Sequence, residues 1–111
     1  MEIKKEKQNR SYAIRFSAQE DGNEVGRAYV YIIYNDLHDE PYGLMEDVFV
    51  DASERGKGVG TRLVEDIIAE AKKLGCRKLI AQSRYGKGSV HALYEKIGFK
   101  DHGKNFRMDF V

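Results

Sequence analysis

One run of residues restricts the possible folds of this chain more than any other: Val48 to Leu63, VFVDASERGKGVGTRL. Three apolar residues, Val48, Phe49 and Val50, read as a strand. They lead into a glycine-rich turn (Arg55, Gly56, Lys57, Gly58, Val59, Gly60), and an amphipathic helix begins at once. Glycine lets a backbone turn tightly and approach a ligand with no Cβ in the way. The first N–H groups of a helix lack internal partners, and the helix dipole adds partial positive charge beside them. Strand, glycine turn and helix in this order make a cradle for an anion such as a phosphate.

Known glycine loops can be tested against it residue by residue. The P-loop needs Gly-Lys-Ser/Thr after its four-residue spacer; Lys57 is followed by Gly58, which excludes it. The dinucleotide fingerprint G-x-G-x-x-G fails at its third glycine, which falls on Thr61 or Leu63. Its ribose-binding acid, expected about 20 residues on, is missing from Leu79 to Ser83. The pattern Arg/Gln-x-x-Gly-x-Gly/Ala is met by Arg55, Gly58 and Gly60. It resembles the acetyl-CoA pyrophosphate loop of the GNAT superfamily of N-acetyltransferases. Two further segments resemble that family in order and spacing. Leu44 to Val50 (LMEDVFV) is similar to the strand before the loop, and Ser89 to Phe99 (SVHALYEKIGF) to the helix that ends in Gly-Phe.

Length and composition agree with one domain over residues 1–111: 41% apolar residues suffice for a single core. The 19 basic and 18 acidic side chains nearly cancel, which argues against a nucleic-acid partner. No apolar run approaches the ~20 residues of a membrane span, and the opening residues, with Lys4, Lys5, Lys7 and Arg10, lack the apolar stretch of a secretion signal. The single cysteine, Cys76, has no partner for a disulfide or a metal site and reads as a buried reduced thiol. A cytoplasmic location is the expectation.

Pattern along the chain predicts β-β-β-α-β-α-β. Tyr12–Ala18 and Val25–Tyr34 read as strands joined by a turn at Asp21, Gly22 and Asn23, a hairpin. Asn35 to Gly43 is a polar loop holding Pro41, and Leu44–Val50 is the central strand. Val59, Leu63, Val64, Ile67, Ile68, Ala71 and Leu74 recur at helical spacing, with Lys72 and Lys73 near the end and Gly75 as the stop. Arg77–Ser83 reads as a strand, Ser89 as the N-cap of a second helix, and Val90, Leu93, Tyr94 and Ile97 as that helix's apolar face, closed by Gly98. A short strand at Phe99–Lys100 and a last one at Lys104–Val111, where Phe106, Met108 and Phe110 alternate with polar residues, complete the series. Helices joining strands imply right-handed crossovers on one mixed sheet. The resemblance gives the same class, a GNAT-like three-layer α/β fold. It also marks a departure: family members carry helices between their first two strands, whereas Ala18 to Val25 has room only for a turn. The acceptor site is therefore expected to be open, or completed by a second subunit in a homodimer.

The resemblance implies acetyl-CoA as co-substrate, a primary amine (small molecule or protein) as acceptor, and no metal. It assigns the pyrophosphate to Gly56, Lys57, Gly58, Val59, Gly60 and Thr61, with charge from Arg55 and Lys57, and the pantetheine arm and thioester carbonyl to the backbone of Val48, Phe49 and Val50. Lys57 and Arg55 are also read as solvated loop side chains. Tyr94 matches the family's catalytic tyrosine and becomes the candidate general acid, since a phenol stays protonated at neutral pH; by periodicity alone it is a core tyrosine beside Val90 and Ile97. Glu46 matches the carboxylate that orients or deprotonates the amine, or else satisfies a partner in the sheet. Alternation puts Glu46 and Asp47 on opposite faces. Asp36 and His38, in the acidic loop before that strand, are candidates to border a cationic acceptor. Lys87 stands where the family often has Asn, and is a candidate phosphate contact. Two other readings stand beside catalysis: a non-catalytic module that binds acetyl-CoA or CoA, and an interaction domain whose glycine loop only starts a helix.

Overall fold

The structure, a computed structural model, describes residues 1–111. Its elements are β1 (Tyr12–Glu20), β2 (Asn23–Ile33), β3 (Tyr42–Val50), α1 (Val59–Lys73), β4 (Leu79–Ala81) and α2 (Gly88–Ile97). They fall into two compact units, Met1–Ile80 and Ala81–Val111. No helix is long and apolar enough to cross a membrane.

The first unit is built on an antiparallel hairpin. Asp21 and Gly22 both take positive φ, +50° and +79°, the left-handed pair that matches the twist of two joined strands. This turn sets the register Glu20 to Asn23 and Gln19 to Glu24; an extra residue at Val25 then shifts it by one, giving Ala18 opposite Gly26 and onward to Tyr12 opposite Ile32. β3 adds antiparallel to β2, with Val30 opposite Met45 and Ile33 opposite Tyr42. β4 lies next to β3 in the order β1-β2-β3-β4. Arg77 N–H donates to the Pro41 carbonyl and Gly43 N–H to the Lys78 carbonyl, each at 2.9 Å. Numbers rise together on both sides, so β4 starts parallel to β3.

Alternation decides which face is apolar. Ala28, Val30 and Ile32 of β2 and Met45 of β3 are buried, and Leu63, Val64, Ile67 and Ala71 of α1 cover them. Each large side chain here contributes about 1.5–3 kcal/mol by leaving water. Gly26 lets β2 and the helix meet: a Cβ there would fall 3.0 Å from Val59 Cγ1 and 3.1 Å from the Phe49 carbonyl oxygen. At the other end of α1, Gly75 at φ +77° turns the chain out. Its N–H donates to Lys72 O and that of Cys76 to Ala71 O, a full Schellman motif, with Lys72 and Lys73 in the last turn as expected. Cys76 is half-buried and burial pushes its thiol up, away from the reactive thiolate.

The second unit holds α2. Its half-buried Val90, Leu93, Tyr94 and Ile97 form the predicted face. Gly98 at φ +128° ends it, with Gly98 N–H on Glu95 O and Phe99 N–H on Tyr94 O.

Three expectations are corrected. Ser89 is not the N-cap: the helix starts at Gly88, preceded by Lys87, and no side chain caps it. The fourth strand is limited to Leu79–Ala81 rather than Arg77–Ser83. Residues 98–111 form neither of the two expected strands. Alternation specifies an apolar face but supplies no pairing edge, and Phe106, Met108 and Phe110 are 88%, 77% and 90% exposed.

Ile67, fully buried at the centre of the α1 stripe, should cost about 2–5 kcal/mol when changed to Ala, read from urea denaturation. On the opposite sheet face, Arg15 and Ser17 donate to the Glu24 carboxylate at 2.6–2.9 Å and hold it down from 4.5 to about 2. A carboxyl depressed in the folded state adds stability above its unfolded value and loses it as pH falls through its folded one. Glu24→Gln should therefore lower the denaturation midpoint at neutral pH, and the gap from wild type should close as pH drops from 4.5 to about 2.

Candidate active site

β3 is regular only as far as Glu46. Tyr29 pairs with Glu46 and Arg27 with Phe49, so Ala28 alone faces both Asp47 and Val48. That is a β-bulge, and Asp47 sits in it at φ +54°, a conformation uncommon for a residue with a side chain. The extra residue changes which side chains share a face. Glu46 and Asp47, expected on opposite faces, are both exposed. Glu46 and Phe49 now stand opposite Tyr29 and Arg27, on the sheet face away from α1.

The bulge precedes a free edge. β4 ends at Ala81 after pairing beside the start of β3, while β3 runs on to Val50. The last residues of β3 thus have no strand partner on that side. The chain then makes a 3₁₀ turn at Ala52–Glu54 and enters the glycine loop. Gly56 and Gly58 take φ +80° and +83°, and a Cβ on either would meet nothing within 4 Å. The glycines are there for backbone conformation, and they leave the surface of the loop open.

α1 starts without a cap. Gly58 at the N-cap supplies no side-chain acceptor, and the first turn contains no acid. Arg62 N–H donates to Gly58 O at 3.0 Å, whereas no backbone or side-chain acceptor takes the N–H groups from Gly56 to Thr61. Uncapped amides and the positive end of the dipole point where the sequence places an anion. The two loop cations are partly engaged within the chain. Arg55 Nε donates to Val50 O at 3.2 Å, tying the loop to the strand, and Lys57 Nζ pairs with Glu54 at 3.2 Å. At 61% exposure Lys57 remains accessible from solvent.

Glu46 lines a shallow open depression of about 490 Å³ with Ser11, Tyr12, Ala13, Tyr31, Ile33 and Leu44. One carboxylate among apolar and aromatic walls suits an ammonium group. Asp36 and His38 are exposed on the loop between β2 and β3 and do not line it. The first unit therefore brings together Glu46, Val48, Phe49, Val50 and Arg55 to Thr61. Lys87 and Tyr94 belong to the second unit, Lys87 exposed at the head of α2. Tyr94 is half-buried, its ring 5.4 Å from that of Phe99, and burial pushes its phenol up. The bulge and its Arg27 partner were missed by sequence reasoning. The only available sign was a basic residue on the strand next to Asp47, which is too common to act on.

A family model described as the acetyltransferase (GNAT) family matches residues 2–99. Glucosamine 6-phosphate N-acetyltransferase of Trypanosoma brucei brucei is 41% identical over 69 residues, 60% of this chain and 44% of that protein. Aminoglycoside N(6')-acetyltransferase type 1 of Stenotrophomonas maltophilia is 30% identical over 92 residues, 80% of this chain and 60% of that protein. The chain thus spans about half the length of the curated relatives it matches. Among solved structures, a putative acetyltransferase from Agrobacterium tumefaciens str. C58 superposes with a TM-score of 0.82 at 30% identity, over 87% of this chain and 68% of that one.

Gly58→Val should strain the left-handed loop by roughly 1–2 kcal/mol. If the loop holds a ligand, the variant should also lose binding of a pyrophosphate-bearing nucleotide in calorimetry, under conditions where circular dichroism shows it folded.

Proposed function

Because this chain belongs to the acetyltransferase (GNAT) family, we propose that it transfers an acetyl group from acetyl-CoA to a primary amine by direct attack on the thioester. The observation that carries the reading is the continuity of three features: the β3 bulge, the unpaired outer edge of β3, and the uncapped glycine start of α1. Together they suit a ligand with a carbonyl, an extended amide-bearing arm and a pyrophosphate. Two observations support acetyl-CoA as the ligand: a Cβ on Gly56 or Gly58 would meet nothing within 4 Å, and the N–H groups from Gly56 to Thr61 need acceptors. Two of the relatives are named as N-acetyltransferases, one of glucosamine 6-phosphate and one of aminoglycosides, which supports an amine acceptor here.

In the proposed mechanism Gly56, Lys57, Gly58, Val59, Gly60 and Thr61 bind the pyrophosphate, and Arg55 holds the loop to Val50. The amides of Val48, Phe49 and Val50 orient the arm and stabilise the negative charge that develops on the carbonyl oxygen. Glu46, at the edge of the apolar depression, orients the ammonium group and takes its proton, directly or through water. A new N–C bond forms as the C–S bond breaks. The nitrogen loses its second proton to solvent as the adduct collapses; Tyr94, kept protonated by its burial, gives its proton to the leaving thiolate and is reprotonated from solvent. Lys87 is assigned an outer phosphate contact, and Asp36 and His38 the approach of a cationic acceptor. We read residues 1–111 as one domain of this kind, since the family match runs across both units. A cytoplasmic location agrees with a single unpaired cysteine, and a homodimer with the open sheet face beside Glu46.

Calorimetry with acetyl-CoA, against NADH and ATP as controls, followed by an amine screen for CoA release, tests the proposal. Selective acetyl-CoA binding and amine-dependent thiol release are expected; a folded protein that binds no acetyl-CoA contradicts it. Tyr94→Phe should lower kcat by about 10²–10⁴-fold with acetyl-CoA affinity little changed. Unchanged kcat would remove Tyr94 from the chemistry.

A further inference from the structure

The β3 bulge is held by a side chain on the neighbouring strand. Arg27 of β2 reaches over it: Nε lies 2.9 Å from Asp47 Oδ2 and Nη2 lies 3.5 Å from Oδ1. The same guanidinium covers the Phe49 ring at 4.7 Å from its centroid. One planar cation thus grips the residue in the bulge and the residue that resumes regular pairing, Phe49 being its own register partner. Asp47 is the only non-glycine residue outside the hairpin turn with positive φ. Left-handed backbone disfavours a residue with a Cβ, Asp less than most, so the smaller contribution of an exposed ion pair can tip the balance. The pair is therefore of the right size to decide which conformation the bulge adopts. The neighbouring pair, Arg15 with Glu24 and Ser17, shares no hydrogen bond with Arg27 or Asp47, although its charges are close enough to be felt by both.

We infer that Arg27 is a positioning residue: through Asp47 and Phe49 it fixes the β3 bulge, and with it the amides from Val48 to Val50 that face the thioester in the proposed reaction. This rests on the acetyl-transfer reading of the same strand. Arg27 touches neither substrate nor reacting atom in this role. Its fork is already occupied by Asp47, and its effect passes through the backbone.

A double-mutant cycle tests it, because glycine adopts the left-handed conformation without help. In Arg27→Gln the amide signals of Asp47 and Val48 should shift and exchange faster with solvent, and kcat should fall about 1.5- to fivefold, the range an exposed ion pair can move a two-state equilibrium. KM for acetyl-CoA should change less than kcat. Adding Asp47→Gly should recover most of the lost kcat, and Arg27→Lys, which keeps one charged contact, should fall between wild type and Arg27→Gln. Bulge amides unchanged in Arg27→Gln, or a kcat loss that Asp47→Gly leaves in place, would overturn the inference. A wild-type protein without acetyl transfer would instead contradict the proposed function, and the amide signals alone would then decide whether Arg27 holds the bulge.

Discussion

The contact between β2 and the opening turn of α1 at Gly26 is the constraint on which the first unit depends. Any side chain there would drive its Cβ against Val59 and against the backbone of Phe49. With hydrogen in that place the helix starts close against the sheet, and the apolar stripe from Leu63 to Ala71 covers Ala28, Val30, Ile32 and Met45. The functional consequence follows from connectivity. A helix packed at that point follows β3 after one 3₁₀ turn and the glycine loop, and a Cβ on Gly60 would lie 3.5 Å from Val50 Cγ2, so its uncapped amides lie near the end of a strand whose outer edge is unpaired. Core packing and the proposed ligand cradle thus share one arrangement, and a change that shifts α1 along the sheet would disturb both.

Two opposed electrostatic regions are built on this frame. The loop from Arg55 to Thr61 offers free N–H groups and the exposed Lys57, with no acid in the first helical turn. The depression beside Glu46 offers a carboxylate among Tyr12, Tyr31, Ile33 and Leu44. The first suits a polyanionic ligand and the second an ammonium group. The bulge that separates them in sequence turns Glu46 and Phe49 to the same face. A regular strand would have set Asp47 against the core face and turned Val48, half-buried here, away from it.

Much of this was legible in the sequence because the signals were local. Asp21 and Gly22 specify a tight hairpin turn, the spacing from Val59 to Leu74 specifies one helical face, and Gly75 and Gly98 specify where helices stop. Arg55, Gly58 and Gly60 carried the loop. The failures lay where geometry depends on a partner distant in sequence. The bulge at Asp47 is set by its register against Ala28 and by Arg27, twenty positions earlier, and period-two counting cannot register an inserted residue. Phe106, Met108 and Phe110 alternate as a strand does, but pairing needs a neighbouring edge that alternation does not supply. Ser89 has the chemistry of an N-cap, yet the helix begins one residue before it.

The central claim is that the end of β3 and the start of α1 form one ligand cradle. Recording amide spectra of the isotope-labelled protein during a titration with acetyl-CoA tests it most directly. The account predicts saturable shifts concentrated at Val48 to Val50 and Gly56 to Thr61. Shifts confined to other parts of the chain, or none at saturating ligand, would contradict it.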